Sequence, residues 1–316
     1  MAEALIRRAL LIAPILFGMS IIVFSIIRLV PGDPVLAVLG LNATPTLVVQ
    51  TRHELGLDLP AYVQYLHWIG NALHGNLGLD YRSDRPITEL ILAALPVTGE
   101  LVALSLLLAI CIGVPLGVFA AIWHGRWPDR LGLGFSMGGI SVPDFWLGIM
   151  LILVFSLVLR IVPSSGFVPL REDLVQNLLH LALPALALCA GLAAVLIRIT
   201  RAAMLDVLQN DYIRFARAKG LGEMSVIVRH GLRNAAVPIV TVIGMQVGYL
   251  FGATVVIEQV FSLPGLGRLV LDSTLALNYP LIQGSVLVLG LLFILTNLVV
   301  DFLYVVLDPR LKARAA

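Results

Sequence analysis

Long apolar segments alternate with short polar ones along the chain. Six of these segments are long enough to cross a membrane: Ala9–Ile27, Leu101–Trp123, Leu131–Leu159, Leu178–Ile197, Ala235–Ile257 and Leu281–Val300. An α-helix rises about 1.5 Å per residue and the apolar core of a bilayer is about 30 Å thick, so about 20 residues span it. The pattern therefore predicts an all-α membrane protein with six transmembrane helices. The first segment is longer than the apolar region of a signal peptide, so we expect it to be retained.

The polar segments predict how the chain is organised. Residues 31–98 combine turn residues with a short amphipathic pattern, which is typical of an external insertion with short helices. We therefore expect an N-terminal tail and first span at residues 1–30, the insertion at 31–98 and a five-span core at 99–316. The core contains a long polar segment, residues 201–234, between the fourth and fifth spans.

The composition agrees with a protein embedded in lipid. Hydrophobic residues make up 59% of the chain and charged residues only 13%, whereas soluble domains are about half apolar and about a quarter charged. The formal net charge of +2 and the excess of apolar residues exclude a disordered chain and a nucleic-acid-binding protein. The expected surroundings are membrane lipid, with no nucleic acid as a partner.

The distribution of Lys and Arg predicts the orientation of the helices. If the N-terminus is cytoplasmic, fourteen of the 21 Lys and Arg residues fall on the cytoplasmic side and seven on the other side. The fourteen are Arg7, Arg8, Arg126, Arg130, Arg198, Arg201, Arg214, Arg217, Lys219, Arg229, Arg233, Arg310, Lys312 and Arg314. Positive charge close to span ends favours the cytoplasmic side. With an even number of spans, both termini are therefore expected to be cytoplasmic.

The sequence lacks the common motifs of enzymes. No phosphate-binding loop occurs, because the two lysines are followed by Gly220 and Ala313 rather than by Ser or Thr. There is no G-x-S-x-G, no H-E-x-x-H and no clustered set of metal ligands, and both Cys residues lie inside apolar runs. We therefore expect a chain without catalytic residues that binds no cofactor or metal and hydrolyses no nucleotide itself.

The polar segment 201–234 contains the most informative pattern. Leu205, Leu208, Tyr212 and Phe215 recur at three- and four-residue steps, which predicts an amphipathic helix. Gly220 is expected to end this helix in the left-handed conformation. Two interpretations remain open. The helix either lies on lipid headgroups, held by its basic residues, or inserts its apolar stripe into a groove of a partner.

Several segments together resemble a known family of transporters. They are Pro31-Gly32-Asp33-Pro34, Gly75-Asn76-Leu77-Gly78, Leu95-Pro96-x-Thr98-x-Glu100-Leu101, Ser141-Val142-Pro143-x-Phe145, Asp211-Tyr212-Ile213-Arg214-x-Ala216-Arg217-Ala218-Lys219-Gly220-Leu221, Arg229-His230-x-Leu232-Arg233-Asn234-Ala235-x-x-Pro238, Glu258-x-Val260-Phe261-Ser262-x-Pro264-Gly265-Leu266-Gly267 and Asp308-Pro309-Arg310. In this combination they resemble the permease subunits of binding-protein-dependent ABC importers, in the dipeptide, oligopeptide and nickel subfamily. The resemblance covers the whole chain.

The resemblance implies a function, a fold and a set of partners. The fold would be that of a type I ABC importer permease in the bacterial inner (plasma) membrane. The partners would be a second homologous permease, two ABC ATPase subunits or one fused ATPase, and an extracytoplasmic substrate-binding protein. ATP and Mg would be bound by the ATPases alone. The cargo would be di- or oligopeptides, with a nickel chelate or glutathione as the alternative.

The resemblance also implies which residues couple the permease to its ATPases. They lie in the short helix of the cytoplasmic segment and are Asp211, Arg214, Phe215, Ala216, Arg217, Ala218, Lys219 and Gly220.

Two acidic residues are candidates for the translocation path or its gate. Asp144 lies in the middle of the third apolar segment, where a charge must face protein or water because its burial in lipid is costly. It either lines the path or accepts a structural hydrogen bond from the backbone near Pro143. Glu258 follows the fifth segment and is a candidate for the outer gate.

Glycines at four-residue spacing predict close helix packing. Gly244, Gly248 and Gly252 share one face of the fifth segment, and Gly113 and Gly117 share a face of the second.

A transporter driven by an ion gradient, or a channel, is the alternative from another functional class. Such a protein needs ionisable groups within the membrane, and Asp144 is essentially the only one that this chain offers. A scaffold that only anchors soluble partners is a further alternative.

Overall fold

The computed structural model describes residues 2–29, 32–40 and 43–307, and the side chains of residues 12–29, 32–40 and 43–300. Pro31 and the predicted motif Asp308-Pro309-Arg310 lie outside the described residues. The described residues are mostly helical and contain no β-strand; a single antiparallel bridge joins Leu79 and Pro86. The helices are α1 Ala2–Leu29, α2 Pro34–Leu39, α3 Pro45–Glu54, α4 Ala61–Leu73, α5 Ile87–Ile122, α6 Trp127–Ser141, α7 Asp144–Leu151, α8 Leu174–Leu208, α9 Asp211–Ala218, α10 Glu223–Ser225, α11 Arg233–Val260, α12 Leu266–Leu275 and α13 Tyr279–Leu307.

Five stretches of helix among the described residues are long and apolar enough to cross a membrane. They are Ile12–Leu29, Ile87–Ile122, Leu174–Leu208, Glu223–Val260 and Tyr279–Val300. Each overlaps one of the six predicted segments, so these five predictions are confirmed as helices. The third of them extends well beyond its predicted apolar core, because polar residues continue its helical periodicity towards residue 208.

The third predicted segment is not one helix, and the prediction of a single helix from Leu131 to Leu159 is wrong. It consists of α6 and α7, joined at an angle of 101°, and α7 continues as the π-helical segment Ile152–Val158. Pro143 causes the break, because a proline disfavours helical backbone at the residue before it. Val142 is accordingly extended, with ψ of 123°. By length and composition, the described residues offer six candidate spans if this bent pair crosses the membrane as one span, and five otherwise.

The chain forms two compact units. The first consists of Gly99–Leu263 with the beginning of α1 and the end of α13, and the second consists of Arg7–Thr98 and Pro264–Ile294. In the first unit α8 is the central helix, buried along most of its length, and α6, α7 and α11 pack against it. The predicted organisation into residues 1–30, 31–98 and 99–316 stays a prediction.

Small residues bring the neighbouring helices close to α8. A Cβ atom added to Gly113 would lie 2.7 Å from Cβ of Leu196, and one added to Gly117 would lie 2.6 Å from Cβ of Thr200. Close packing at these two positions is therefore confirmed. On α11, Gly244 packs against Val300, whereas Gly252 has no described atom within 4 Å of an added Cβ.

The second unit contains two hydrophobic clusters. One includes Ile87, Ile91, Leu266 and Leu281, which join α5, α12 and α13. The other is built from Val23 and Ile27 of α1 with Tyr279 and Ile282 of α13.

Helix α4 adds an aromatic contact in the second unit. Its Tyr65 ring packs edge-on against Phe24 at 5.2 Å, and the Tyr65 hydroxyl shares a hydrogen bond of 2.8 Å with Oγ of Ser20. The short helices expected for residues 31–98 are therefore present as α2, α3 and α4, while their external location stays a prediction.

The contact of α5 with α8 gives a first testable prediction. Gly117→Ala places a methyl group 2.8 Å from the carbonyl oxygen of Ile197, and overpacking of this kind costs about 1–3 kcal/mol. We expect a lower melting temperature of the purified protein in detergent. Gly99→Ala is the matched control on the same helix, because no described atom lies within 4 Å of its Cβ. Equal melting temperatures of the two variants would contradict the close contact.

Candidate functional site

The predicted coupling segment forms a separate short helix. Helix α8 ends at Leu208, and α9 begins at Asp211 after the extended residue Asn210, whose ψ is 146°. The Asn210 side chain donates a hydrogen bond of 3.0 Å to the carbonyl oxygen of Asp206, and so satisfies one of the last carbonyl groups of α8. The prediction of one helix from Leu205 to Lys219 is therefore wrong, because the chain turns at Gln209 and Asn210.

The break changes which apolar residues of α9 face the protein. Ile213 and Ala216 are buried where α9 packs against the π-helical segment Val226–Leu232. Tyr212 and Phe215 were predicted to share a stripe with Leu205 and Leu208, but they lie outside this contact. Phe215 is 69% exposed and Tyr212 is 41% exposed. Helix α9 is thus anchored by one pair of apolar side chains and presents another pair to its surroundings.

Two ion pairs fix the charged side chains around α9. Arg217 donates two hydrogen bonds to the Glu223 carboxylate, of 2.6 and 3.2 Å, and this carboxylate raises the pKa of Arg217. Arg214 lies 3.4 Å from Asp211, three residues earlier on the same helix. Of the eight predicted coupling residues only Ala216 is buried, and the other seven are exposed within one short segment.

Gly220 ends α9 in the way the sequence predicts. Its φ is +78°, in the left-handed region. Its N–H donates to the carbonyl oxygen of Arg217 at 2.9 Å, and the next N–H, of Leu221, donates to Ala216 at 3.4 Å. These are the two hydrogen bonds of a Schellman motif, so this prediction of a glycine stop is confirmed.

Asp144 lies at the bend between α6 and α7, beside a cavity of about 290 Å³. Its Oδ2 accepts a hydrogen bond of 3.0 Å from the Tyr249 hydroxyl of α11. A Cβ atom added to Gly191 of α8 would lie 3.4 Å from Oδ1 of Asp144. Gln246 also lines the cavity. Helix α7 thus brings a carboxylate, and α11 a phenol and an amide, to the point where the helix is broken, with Gly191 of α8 beside them.

Glu258, the other candidate for a path or gate, lies in a different environment. Its side chain is fully buried near the end of α11, and its carbonyl oxygen accepts a hydrogen bond of 2.8 Å from the N–H of Leu263. It is not among the residues that line the Asp144 cavity.

The sequence reading missed a buried ionic cluster around Asp129. This carboxylate is 3% exposed and accepts hydrogen bonds from the Arg201 guanidinium and from the N–H of Gly125 at 2.9 Å, and Nδ1 of His124 lies 3.1 Å from it. Arg201 was counted only as a positive charge of the cytoplasmic side. The available signal was an acidic residue in the first turn of a helix, between Arg126 and Arg130.

A second polar contact also escaped the sequence reading. Glu100 accepts a hydrogen bond of 2.7 Å from Nδ2 of Asn177, which also donates to the carbonyl oxygen of Val168 at 2.8 Å.

Five long apolar helices, a bent pair of helices and a short exposed helix after α8 are the features of a membrane-embedded subunit. Residues 113–313 match the model of the binding-protein-dependent transport system inner membrane component, and residues 1–102 match that of its N-terminal part. The chain belongs to this family. It is thus a permease of a binding-protein-dependent ABC importer and a multi-pass protein of the inner membrane. This family works with an ATPase and a substrate-binding protein.

Curated relatives match the chain along nearly its whole length. The glutathione transport system permease protein GsiC of Escherichia coli strain K12 is 43% identical over 312 residues, which cover 99% of each chain. The protein of the same name from Shigella flexneri serotype 5b has the same identity and coverage.

Solved structures support the fold. Two inward-facing structures of the MetNI methionine ABC transporter, the native crystal form and the selenomethionine-soaked form, match with TM-scores of 0.57 and 0.56. Each is 18% identical, and the match covers 69% of this chain and 96% of the other. At this identity the likeness concerns the fold alone.

The glycine stop of α9 gives a second prediction. Gly220→Val forces a β-branched residue into the left-handed region, which costs at least about 1–2 kcal/mol. We expect hydrogen–deuterium exchange of the last turn of α9 to be about tenfold faster. Gly222→Val is the control, because φ is −61° there and no described atom lies within 4 Å of its Cβ. Unchanged exchange in Gly220→Val would show that the Schellman motif does not hold this turn.

Proposed function

We propose that this permease pairs with a second, homologous permease and imports peptide cargo, and that α9 couples its movement to two ATPase subunits or one fused ATPase. The observation that carries the proposal is the short helix α9, which is fixed to the chain by Ile213 and Ala216 and leaves Phe215 exposed. An exposed aromatic side chain beside exposed basic residues is suited to a groove on another protein, because it supplies buried area at the centre of an interface.

Coupling requires a contact that differs between two states of the ATPases. A contact of α9 that is equal in the open and closed ATPase dimers would shift no equilibrium. ATP and Mg would be bound by the partner subunits. Their closure would move α9, and its packing against Val226–Leu232 would pass the movement to α11, which continues directly from this segment.

Peptides are the proposed cargo, and glutathione is the specific candidate. The relatives that are 43% identical carry the name of a glutathione transport system, and glutathione is itself a tripeptide. Longer peptides and nickel chelates are the alternatives within the same family.

We place Asp144 on the translocation path. Its carboxylate lines a cavity at a helix break, together with Gln246 and Tyr249. Ionisable residues within membrane segments usually face a cavity or a pathway, because lipid cannot solvate them. Glu258 remains our candidate for a gate on the outer side, where its burial would let it hold neighbouring segments together.

We further propose that the bent pair of α6 and α7 crosses the membrane as one span. This gives six spans with both termini in the cytoplasm, which agrees with the distribution of Lys and Arg.

The coupling proposal predicts a specific defect in Phe215→Ala. Loss of an aromatic anchor at an interface commonly costs about 2 kcal/mol or more, so we expect uptake of glutathione by the reconstituted importer to fall at least about tenfold. The permease should still reach the membrane, because Phe215 contributes little to the interior of this chain. The measurement is ATP-dependent uptake into proteoliposomes, normalised to the amount of permease.

Phe17→Ala is the control for this experiment. Phe17 is 56% exposed in α1 and lies outside the coupling segment. We expect it to leave uptake within about twofold of the unmodified protein. Normal uptake by Phe215→Ala would refute a role for this side chain in coupling.

The pathway proposal predicts a different defect in Asp144→Asn. The variant keeps the shape of the side chain and removes its charge, so a charge-assisted contact with passing cargo is lost. We expect uptake at saturating cargo to fall about fivefold or more, while ATP hydrolysis stimulated by the loaded binding protein persists. Glu172→Gln removes an exposed charge outside the cavity and serves as the control. If both variants transport equally, Asp144 is not part of the path.

A further inference from the structure

A second cavity, of about 230 Å³, lies within the second compact unit. It is enclosed by the end of α1, by α4 and by the first turns of α13. Its polar lining includes one cation, the guanidinium of Arg28, together with neutral groups that can donate hydrogen bonds, among them the indole of Trp68 and the amide of Gln283. Among the described residues that line it, none is an Asp or a Glu.

Two of these donors have no acceptor among the described residues. The Nε2 group of Gln283 is buried without a hydrogen-bond partner, and its residue is only 3% exposed. The indole Nε1–H of Trp68 is likewise buried and unpartnered. An unpaired buried donor costs about 1–3 kcal/mol, and native proteins contain few of them. Both residues line the same cavity, and two unpaired donors in its wall favour a ligand with acceptor atoms.

Arg28 gives this cavity its charge. Its guanidinium donates to the carbonyl oxygen of Phe24 at 3.0 Å and to Oε1 of Gln64 at 2.6 Å, and it lies 3.4 Å from the centre of the Phe24 ring. No carboxylate pairs with Arg28 in the described part of the chain. A half-buried cation with only neutral partners, beside two unpaired donors, is suited to a small anion.

We propose that this cavity binds a carboxylate group of the imported cargo. The proposal rests on the proposed function, because it takes the anion from a peptide-like substrate. One arginine compensates one negative charge, and its planar group matches the two oxygens of a carboxylate. The indole of Trp68 and the amide of Gln283 supply the further donors that such oxygens accept. The cavity volume admits the terminal carboxylate of a peptide together with its nearest atoms rather than a whole peptide.

The test measures binding without transport. The complex of both permeases and the ATPases, purified without the binding protein and placed in nanodiscs of phosphatidylcholine, is incubated with tritiated glutathione and, in parallel, with tritiated trialanine. We expect it to retain at least one of the two peptides. Trp68→Phe and Gln283→Met each remove one donor and keep most of the side-chain volume. Each variant should weaken retention about tenfold without lowering the melting temperature, because the lost donor has no partner within the chain.

Two comparisons make the assignment specific. Peptides whose carboxylates are converted to carboxamides should bind the unmodified importer about tenfold more weakly, and the two variants should weaken their binding no further. Tyr62→Phe, an exposed position of α4 that does not line the cavity, is the control and should bind both peptides normally.

Three results would overturn the proposal: retention of neither peptide by the unmodified importer, retention unaffected by both variants, or equal retention of acids and carboxamides. A membrane phospholipid is the competing occupant. If phosphatidylglycerol from the membrane co-purifies with the unmodified importer and not with the variants, while peptide retention is unchanged, the ligand is a lipid phosphate and our assignment is wrong.

ATP-driven uptake by the unmodified importer tests the proposed function separately. Uptake without a carboxylate effect at this cavity rejects only the present inference, and absence of uptake rejects the proposed function.

Discussion

The close packing of small residues around α8 is the constraint on which the rest of the first unit depends. Gly113 and Gly117 of α5 and Gly139 of α6 leave no space for a side chain against this helix. Helix α8 spans 35 residues, or about 52 Å. It contributes Gly191 beside Asp144, and its Met204 packs on Gly231 of the π-helical segment Val226–Leu232, against which α9 also packs. One buried helix therefore connects the bend between α6 and α7 to the segment against which the proposed coupling helix packs.

The hydrophobic pattern and the conformational freedom of glycine predicted much of this structure. The apolar segments identify five long helices because length and apolarity are local properties of the sequence. Gly220 could be predicted because few other residues adopt a positive φ at low cost. The break before Asp144 was missed, although Pro143 carries the signal, because an apolar run of this length was read as one span. The effect of Pro143 depends on whether neighbouring helices replace the hydrogen bonds that it removes.

Polar contacts between residues far apart in the sequence account for other features of the structure that the sequence did not predict. The pairing of Asp129 with Arg201 joins positions 72 residues apart, and that of Glu100 with Asn177 joins positions 77 apart, and neither leaves a periodic pattern. The buried face of α9 was predicted wrongly for a local reason. The turn at Gln209 and Asn210 separates α9 from α8, so the three- and four-residue spacing does not continue from one helix to the next. As a result Ile213 and Ala216 are buried instead of Tyr212 and Phe215. The unpaired donors of Trp68 and Gln283 could not be foreseen, because pairing is a property of three-dimensional surroundings.

The break between α6 and α7 restricts what can surround this part of the molecule. Pro143 has no N–H, so the carbonyl oxygen of Gly139 lacks its usual donor four residues later. Hydrocarbon chains supply no donors to such groups, which makes direct exposure to lipid unfavourable. The backbone around the bend must therefore meet either water or protein, and at Gly139 it packs against Ala194 of α8. The bend is therefore tolerated only where protein or water covers it, a requirement that the uninterrupted helices, with their backbone groups paired internally, do not have.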